Sequence, residues 1–184
     1  MTHGHTNIAA PALQVLVVDD SQAQRTHVRS ALERAGLTVV GEAEDGAQAL
    51  TQAAANHPDV VLMDLCMPRM DGVQATRILR RQQPGTPVVL WTGVDEAQLE
   101  RAVCTSGAQV GIPKGIGTVE LVTTLREAFA AQHEGPPVAG DRCLWHVGGT
   151  AGENGPVRTK VLTPTGDGSR SQEGEGPSSV TTAS

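Results

Sequence analysis

Aromatic side chains are nearly absent from this chain: 2% of 184 residues, with one Phe and no Tyr. A core is therefore expected from Val, Leu, Ile and Ala. The 39% of hydrophobic residues suffices for one domain of ordinary size, though not for a packed core along the whole length. Basic charge is also scarce. Fourteen Lys and Arg stand against twenty Asp and Glu, a formal net charge of -6, which gives no reason to expect a nucleic-acid-binding face. Three cysteines, Cys66, Cys104 and Cys143, lie far apart without CxxC spacing and read as reduced intracellular thiols. No apolar run approaches the roughly 18 residues of a membrane span. Met1 to Ala12 has neither the basic nor the apolar region of a signal peptide, so a soluble cytoplasmic protein is the expectation. His3 and His5 receive no metal-binding role.

What is present is a regular alternation. Short apolar runs at Leu13–Val18, Thr38–Gly41, Asp59–Met63, Pro87–Trp91 and Gln109–Pro113 have the character of strands covered on both faces. Helix-like stretches lie between them. In the first, Val28, Ala31, Leu32 and Ala35 fall on one face and Gly36 suits the stop; in the last, Val122, Leu125 and Phe129 share a side. Ser21, Asp45, Asp95 and Thr118 are candidate N-caps, and Gly107 a candidate helix end. Five strand–helix alternations predict an α/β fold, an open parallel sheet wound on both faces, over residues 13–131. Residues 1–12 read as a flexible N-terminus. Residues 132–184 contain ten Gly and five Pro among 53, and are expected to be a largely disordered tail, with Cys143–Val147 as one patch that could dock.

Ligands of such sheets bind at the carboxyl ends of the strands. Asp19 and Asp20 follow the first strand, Asp64 ends the third, Thr92 the fourth and Lys114 the fifth. Three carboxylates in one crevice repel each other unless a cation neutralises them, and oxygen ligands favour Mg²⁺ or Mn²⁺. A bare metal site has no need of an ammonium, whereas a phosphoryl group needs donors and positive charge on several sides. The set reads as a site that receives phosphate on a carboxylate with metal help.

The motifs VLVVDD (Val15–Asp20), VVLMDLCMPRMDG (Val60–Gly72), LWTG (Leu90–Gly93) and GIPKG (Gly111–Gly115) resemble the receiver domains of bacterial two-component response regulators, over about 119 residues and in the right order. The resemblance is greatest to receivers of the NarL/LuxR class. It implies a flavodoxin-like, five-stranded parallel sheet of order 2-1-3-4-5 with five helices. It also implies Asp64 as the phosphoacceptor for a sensor histidine kinase. Asp20 and Asp64 would bind Mg²⁺ (or Mn²⁺) through their carboxylates, Asp19 would assist directly or through water, and Cys66 would contribute its backbone carbonyl. Thr92 and Lys114 would bind the transferred phosphoryl group.

Three departures from the family pattern stand out. Gly111 occupies the position where many receivers carry Tyr or Phe, and no aromatic near it in the sequence takes that role. Gly115 follows the lysine where many receivers have Pro, as in the NarL/LuxR-related subgroup. Pro113 lies inside the fifth strand, which an edge strand tolerates better. Phosphorylation is therefore expected with a weakened or rerouted output.

The leading expectation is a signalling module, not an enzyme beyond Mg-dependent self-phosphorylation and self-dephosphorylation. It would act through protein contacts at roughly 95–131, a face at which homodimerisation is open. The alternative is a NarL/LuxR-class transcription regulator, truncated or frame-shifted, for which Val161-Leu162-Thr163-Pro164 would mark the start of the lost DNA-binding half. No recognition helix follows that string, so DNA contact by this chain is not expected. A phosphatase of the haloacid-dehalogenase type is disfavoured because it needs a DxD string, whereas Asp19-Asp20 is an adjacent pair. Nucleotide binding is disfavoured because neither GxxxxGK[ST] nor GxGxxG follows a strand.

Overall fold

Runs that are apolar on successive positions are buried only by a sheet covered on both faces, and the Val-rich segments form such a sheet. The computed structural model describes residues 12–133, 143–147 and 158–162. Its first five strands are β1 (Gln14–Val18), β2 (Thr38–Ala43), β3 (Val60–Met63), β4 (Val88–Thr92) and β5 (Val110–Pro113). They alternate with α1 (Gln22–Arg34), α2 (Gly46–Asn56), α3 (Gly72–Gln82), α4 (Glu96–Ser106) and α5 (Thr118–His133). All pairings are parallel and the order is β2-β1-β3-β4-β5, as the resemblance implies.

Successive side chains of a strand point to opposite faces, so the core divides in two. On one face Val15, Val17, Leu62, Val89, Trp91 and Ile112 pack with Val28 and Leu32 of α1 and Leu121 and Leu125 of α5. On the other, Leu16, Val18, Met63 and Leu90 pack with Ala49 and Ala53 of α2, Leu79 of α3, and Leu99 and Val103 of α4. Each fully buried Leu or Val among them contributes about 1.5–3 kcal/mol.

The helices start where the sequence places caps. Ser21, Asp45 and Asp95 accept hydrogen bonds from the backbone N–H of Gln24, Gln48 and Gln98. Asp71 caps α3 through Gln74 in the same way, a cap the sequence reading did not name. Thr118 is the first residue of α5 rather than the residue ahead of it. Gly107 caps the end of α4 in the left-handed conformation.

Pro113 ends β5, the edge strand. The Gln109 N–H donates to the Val88 carbonyl, and the two-residue spacing of a ladder assigns the Thr92 carbonyl to residue 113, which as proline has no N–H. The Lys114 N–H donates to Thr92 instead, at 2.7 Å. The missing donor thus ties Lys114 to the end of β4.

Beyond α5, β6 (Cys143–Val147) and β7 (Arg158–Leu162) pair antiparallel as a separate two-stranded sheet, with β6 alongside β5 and α4. The rest of 134–184 and residues 1–11, where the flexible terminus and most of the tail were expected, lie outside the described residues. No helix among the described residues is long and apolar enough to cross a membrane.

Candidate functional site

Asp19 and Asp64 stand one residue beyond β1 and β3, and the central position of those strands fixes both. The Asp64 N–H donates to the Val18 carbonyl (2.8 Å) and the Asp19 N–H to the Ala43 carbonyl (3.1 Å). Both residues are buried, at 0% and 3% exposure, while Asp20 is exposed. Carboxylate oxygens of Asp19, Asp20 and Asp64 lie within 4.8 Å of one another. The structure therefore brings together the three aspartates that the sequence singled out.

Lys114 joins them from the end of β5. Its ammonium donates to Asp64 Oδ2 at 2.9 Å and lies 2.7 Å from Asp19 Oδ2. The second contact falls outside hydrogen-bonding angles, so the buried Asp19 Oδ2 has an ion-pair partner but no directed one. Burial works to lower the Lys114 pKa, and the close contacts with Asp19 and Asp64 more than reverse this, holding the ammonium above its ordinary range. Three carboxylates against one ammonium leave the cluster negative. This donor set suits a hard divalent cation: oxygen ligands only, grouped closely. It is an acidic pocket of the kind in which receiver domains bind Mg²⁺.

Smaller contacts hold the frame. Asp19 Oδ1 accepts the Ser21 N–H at 2.9 Å, and Asp64 Oδ1 accepts the Cys66 N–H at 3.4 Å. The Asp19 carbonyl accepts from Arg25, whose Nε pairs with Glu42 at 3.2 Å. Sequence reasoning missed Arg25, because nothing in a lone Arg one turn into a helix separates it from a surface charge. At the other end of the β3–α3 loop, Gly72 meets Asp64 directly. A Cβ there would stand 2.1 Å from the Asp64 carbonyl oxygen, so only glycine lets α3 begin at this point.

Thr92 is buried at the end of β4, at 1% exposure. Strand alternation sets its side chain with Leu90 and Val88, toward the α2–α3–α4 layer, whereas Asp19, Asp64 and Lys114 follow the phase of Val17, Leu62 and Ile112. Among the described residues, the Thr92 hydroxyl makes no hydrogen bond to the aspartates or to Lys114. It borders the cluster without joining its ion pairs.

Gly111 lies under α4. A Cβ at this position would come within 2.6 Å of Val103 and 2.7 Å of Leu99, so side chains of α4 occupy the space an aromatic would need. An aromatic does lie near Lys114, on the other face of the sheet, where it does not take the place left by Gly111. Trp91 pairs in register with Ile112, and its ring centroid is 5.2 Å from the Lys114 ammonium. Distance along the chain hid this contact, which arises between adjacent strands.

Comparison with known proteins agrees with this geometry. A family model for the response regulator receiver domain matches residues 15–126. Response regulator GacA of Pseudomonas aeruginosa is 41% identical over 121 residues, 65% of this chain and 56% of its own length. The chain thus spans about half the length of such relatives. A protein-glutamate methylesterase/protein-glutamine glutaminase of Alkalilimnicola ehrlichii is 44% identical over 105 residues, but these are 27% of that enzyme's length. Among solved structures, the receiver domain of the putative response regulator NarL from Mycobacterium tuberculosis is 34% identical, with a TM-score of 0.62, covering 66% of this chain and 98% of that one. Since the family model spans more than half of the residues, the chain belongs to the response regulator receiver domain family, the receiving module of two-component signal transduction.

Proposed function

We propose that Asp64 accepts a phosphoryl group from the phosphohistidine of a sensor histidine kinase and that the chain signals by protein contacts. The observation that carries this reading is the Lys114 ammonium seated between Asp19 and Asp64, beside a third carboxylate. An Asp64 carboxylate oxygen attacks phosphorus, a P–O bond forms, and the P–N bond to the imidazole breaks. The imidazole leaves with the bonding electron pair and takes up a proton. Lys114 then pairs with a phosphoryl oxygen, and the Thr92 hydroxyl donates to another. Asp19, Asp20, Asp64 and the Cys66 carbonyl would hold Mg²⁺ or Mn²⁺. Such an ion, when bound, neutralises charge on the transferring oxygens.

Incubation with acetyl phosphate and Mg²⁺ tests the proposal by intact-mass measurement. A stoichiometric phosphoryl adduct, absent from Asp64→Asn, is the expected result. Steady turnover of phosphate esters without an adduct would indicate an enzyme instead. The second reading, a truncated or frame-shifted regulator lacking its DNA-binding half, is consistent with a chain that spans about half the length of relatives such as response regulator GacA. Val161 and Leu162, half of the string expected to open it, lie in strand β7 rather than at a helix start, and Thr163 and Pro164 lie outside the described residues.

A further inference from the structure

We propose that Trp91 is a positioning residue for Lys114, and that it carries the state of the Asp64 site into the α1–α5 side of the core. The inference rests on Asp64 being the phosphoacceptor. Three observations lead to it. The indole lies under the ammonium at a cation–π distance, 5.2 Å from centroid to Nζ. It is 6% exposed and belongs to the same apolar cluster as Leu121 and Leu125 of α5, with Ile116 packed against that cluster. Its Nε1 is buried with no hydrogen-bond partner among the described residues, so polar bonding among them does not explain why an indole stands here. A Leu of similar burial would leave no orphaned donor. The electron-rich face toward Lys114 is the property a Leu cannot supply.

The opposite face is closed to the same task. A side chain at 111 would collide with Leu99 and Val103, so an aromatic could turn inward beneath α4 only by displacing them. Asp19, Asp64, Lys114 and Trp91 all belong by strand phase to the α1–α5 face. When the ammonium shifts from the Asp64 carboxylate toward a phosphoryl oxygen, its distance to the ring changes. The first packed groups to register that change are those around Trp91.

The test uses the full chain carrying Trp145→Phe, which leaves Trp91 as its one tryptophan. In NMR spectra the Lys114 ε-methylene protons should show an upfield ring-current shift that Trp91→Leu removes. Trp91→Leu should slow adduct formation from acetyl phosphate about three- to tenfold, the range of a partly desolvated cation–π contact, with Trp91→Phe recovering most of the rate. Trp91 emission should change on adding beryllofluoride with Mg²⁺, and should not respond once Lys114 is replaced by Met. Equal rates for Leu, Phe and Trp overturn the proposal. Equally slow Leu and Phe variants also overturn it, because they would show packing alone. So does a Lys114 ring-current shift that is absent from the wild type. If the wild type forms no adduct, the phosphoacceptor reading fails, and the ring-current measurement still decides whether Trp91 holds Lys114.

Discussion

The two faces of the sheet carry similar numbers of buried apolar residues, yet only one of them connects to the acidic cluster through a charged side chain. On the α1–α5 face, Lys114 links Asp19 and Asp64 to Trp91 and the core beneath it. On the α2–α3–α4 face, Thr92 borders the site and pairs with Pro113, while Gly111 pairs with Leu90 and has Leu99 and Val103 packed directly over it. The comparison teaches that replacing an aromatic by glycine does not leave a hole. Leu99 and Val103 of α4 fill the space beside Gly111, so any side chain placed there would have to displace them.

The hardest way to break this comparison is to put the aromatic back. Gly111→Tyr should cost about 3 kcal/mol in urea unfolding, because the Cβ alone already collides with α4. Adding Leu99→Ala should make the pair cost less than the sum of the two single changes, the coupling expected of residues sharing one space. Full additivity would mean that α4 is not seated on Gly111.

Next in size is Lys114→Met, which leaves the carboxylates of Asp19 and Asp64 buried without their cation. A loss of roughly 2–3 kcal/mol is expected in chelator, with Mg²⁺ restoring more of it than it adds to the wild type. The folded-state pKa of Lys114 is raised. Its contribution is therefore fully present below the ordinary lysine value of about 10.4 and disappears as pH rises through the folded value. Stability curves of the Met variant should lack that alkaline decline.

A smaller effect belongs to the other face. Asp45 is held below the usual carboxylate range by the Gln48 N–H and then by Arg69. Its stabilisation is present above an unfolded value of about 3.9 and is lost as pH falls through the folded one. Asp45→Ala should cost about 1 kcal/mol near neutrality and flatten the acid limb of the same curves. The smallest effect is expected at Val119, which is 81% exposed on α5: Val119→Ser should leave the unfolding midpoint within about 0.5 kcal/mol of wild type.

Much of the fold was legible because its signals are local. Apolar runs marked the five strands to within one or two residues, and strand ends gathered Asp19, Asp20, Asp64 and Lys114. The Asp71 cap was equally readable: four helices share a Ser or Asp followed three residues on by Gln, at Gln24, Gln48, Gln74 and Gln98. Trp91 was not readable in the same way. Its nearness to Lys114 depends on the β4–β5 register and on the phase of both strands, and neither can be taken from a single run of residues. The seating of α4 on Gly111 likewise depends on how a helix packs on a sheet, not on its own sequence. Thr118 failed as a cap because the chain enters α5 one residue earlier than the cap pattern placed it.

Gly72 brings one further consequence. With no side chain between them, the start of α3 rests against the Asp64 carbonyl, while the Asp64 N–H is held in the ladder by Val18. The proposed acceptor is thus a post set in masonry on both sides of its Cα. If Asp64 accepts the phosphoryl group as proposed, its backbone is held on both sides, and the change would arrive chiefly as charge and volume at its tip. A larger residue at 72 would push α3 away from the Asp64 carbonyl and loosen the post.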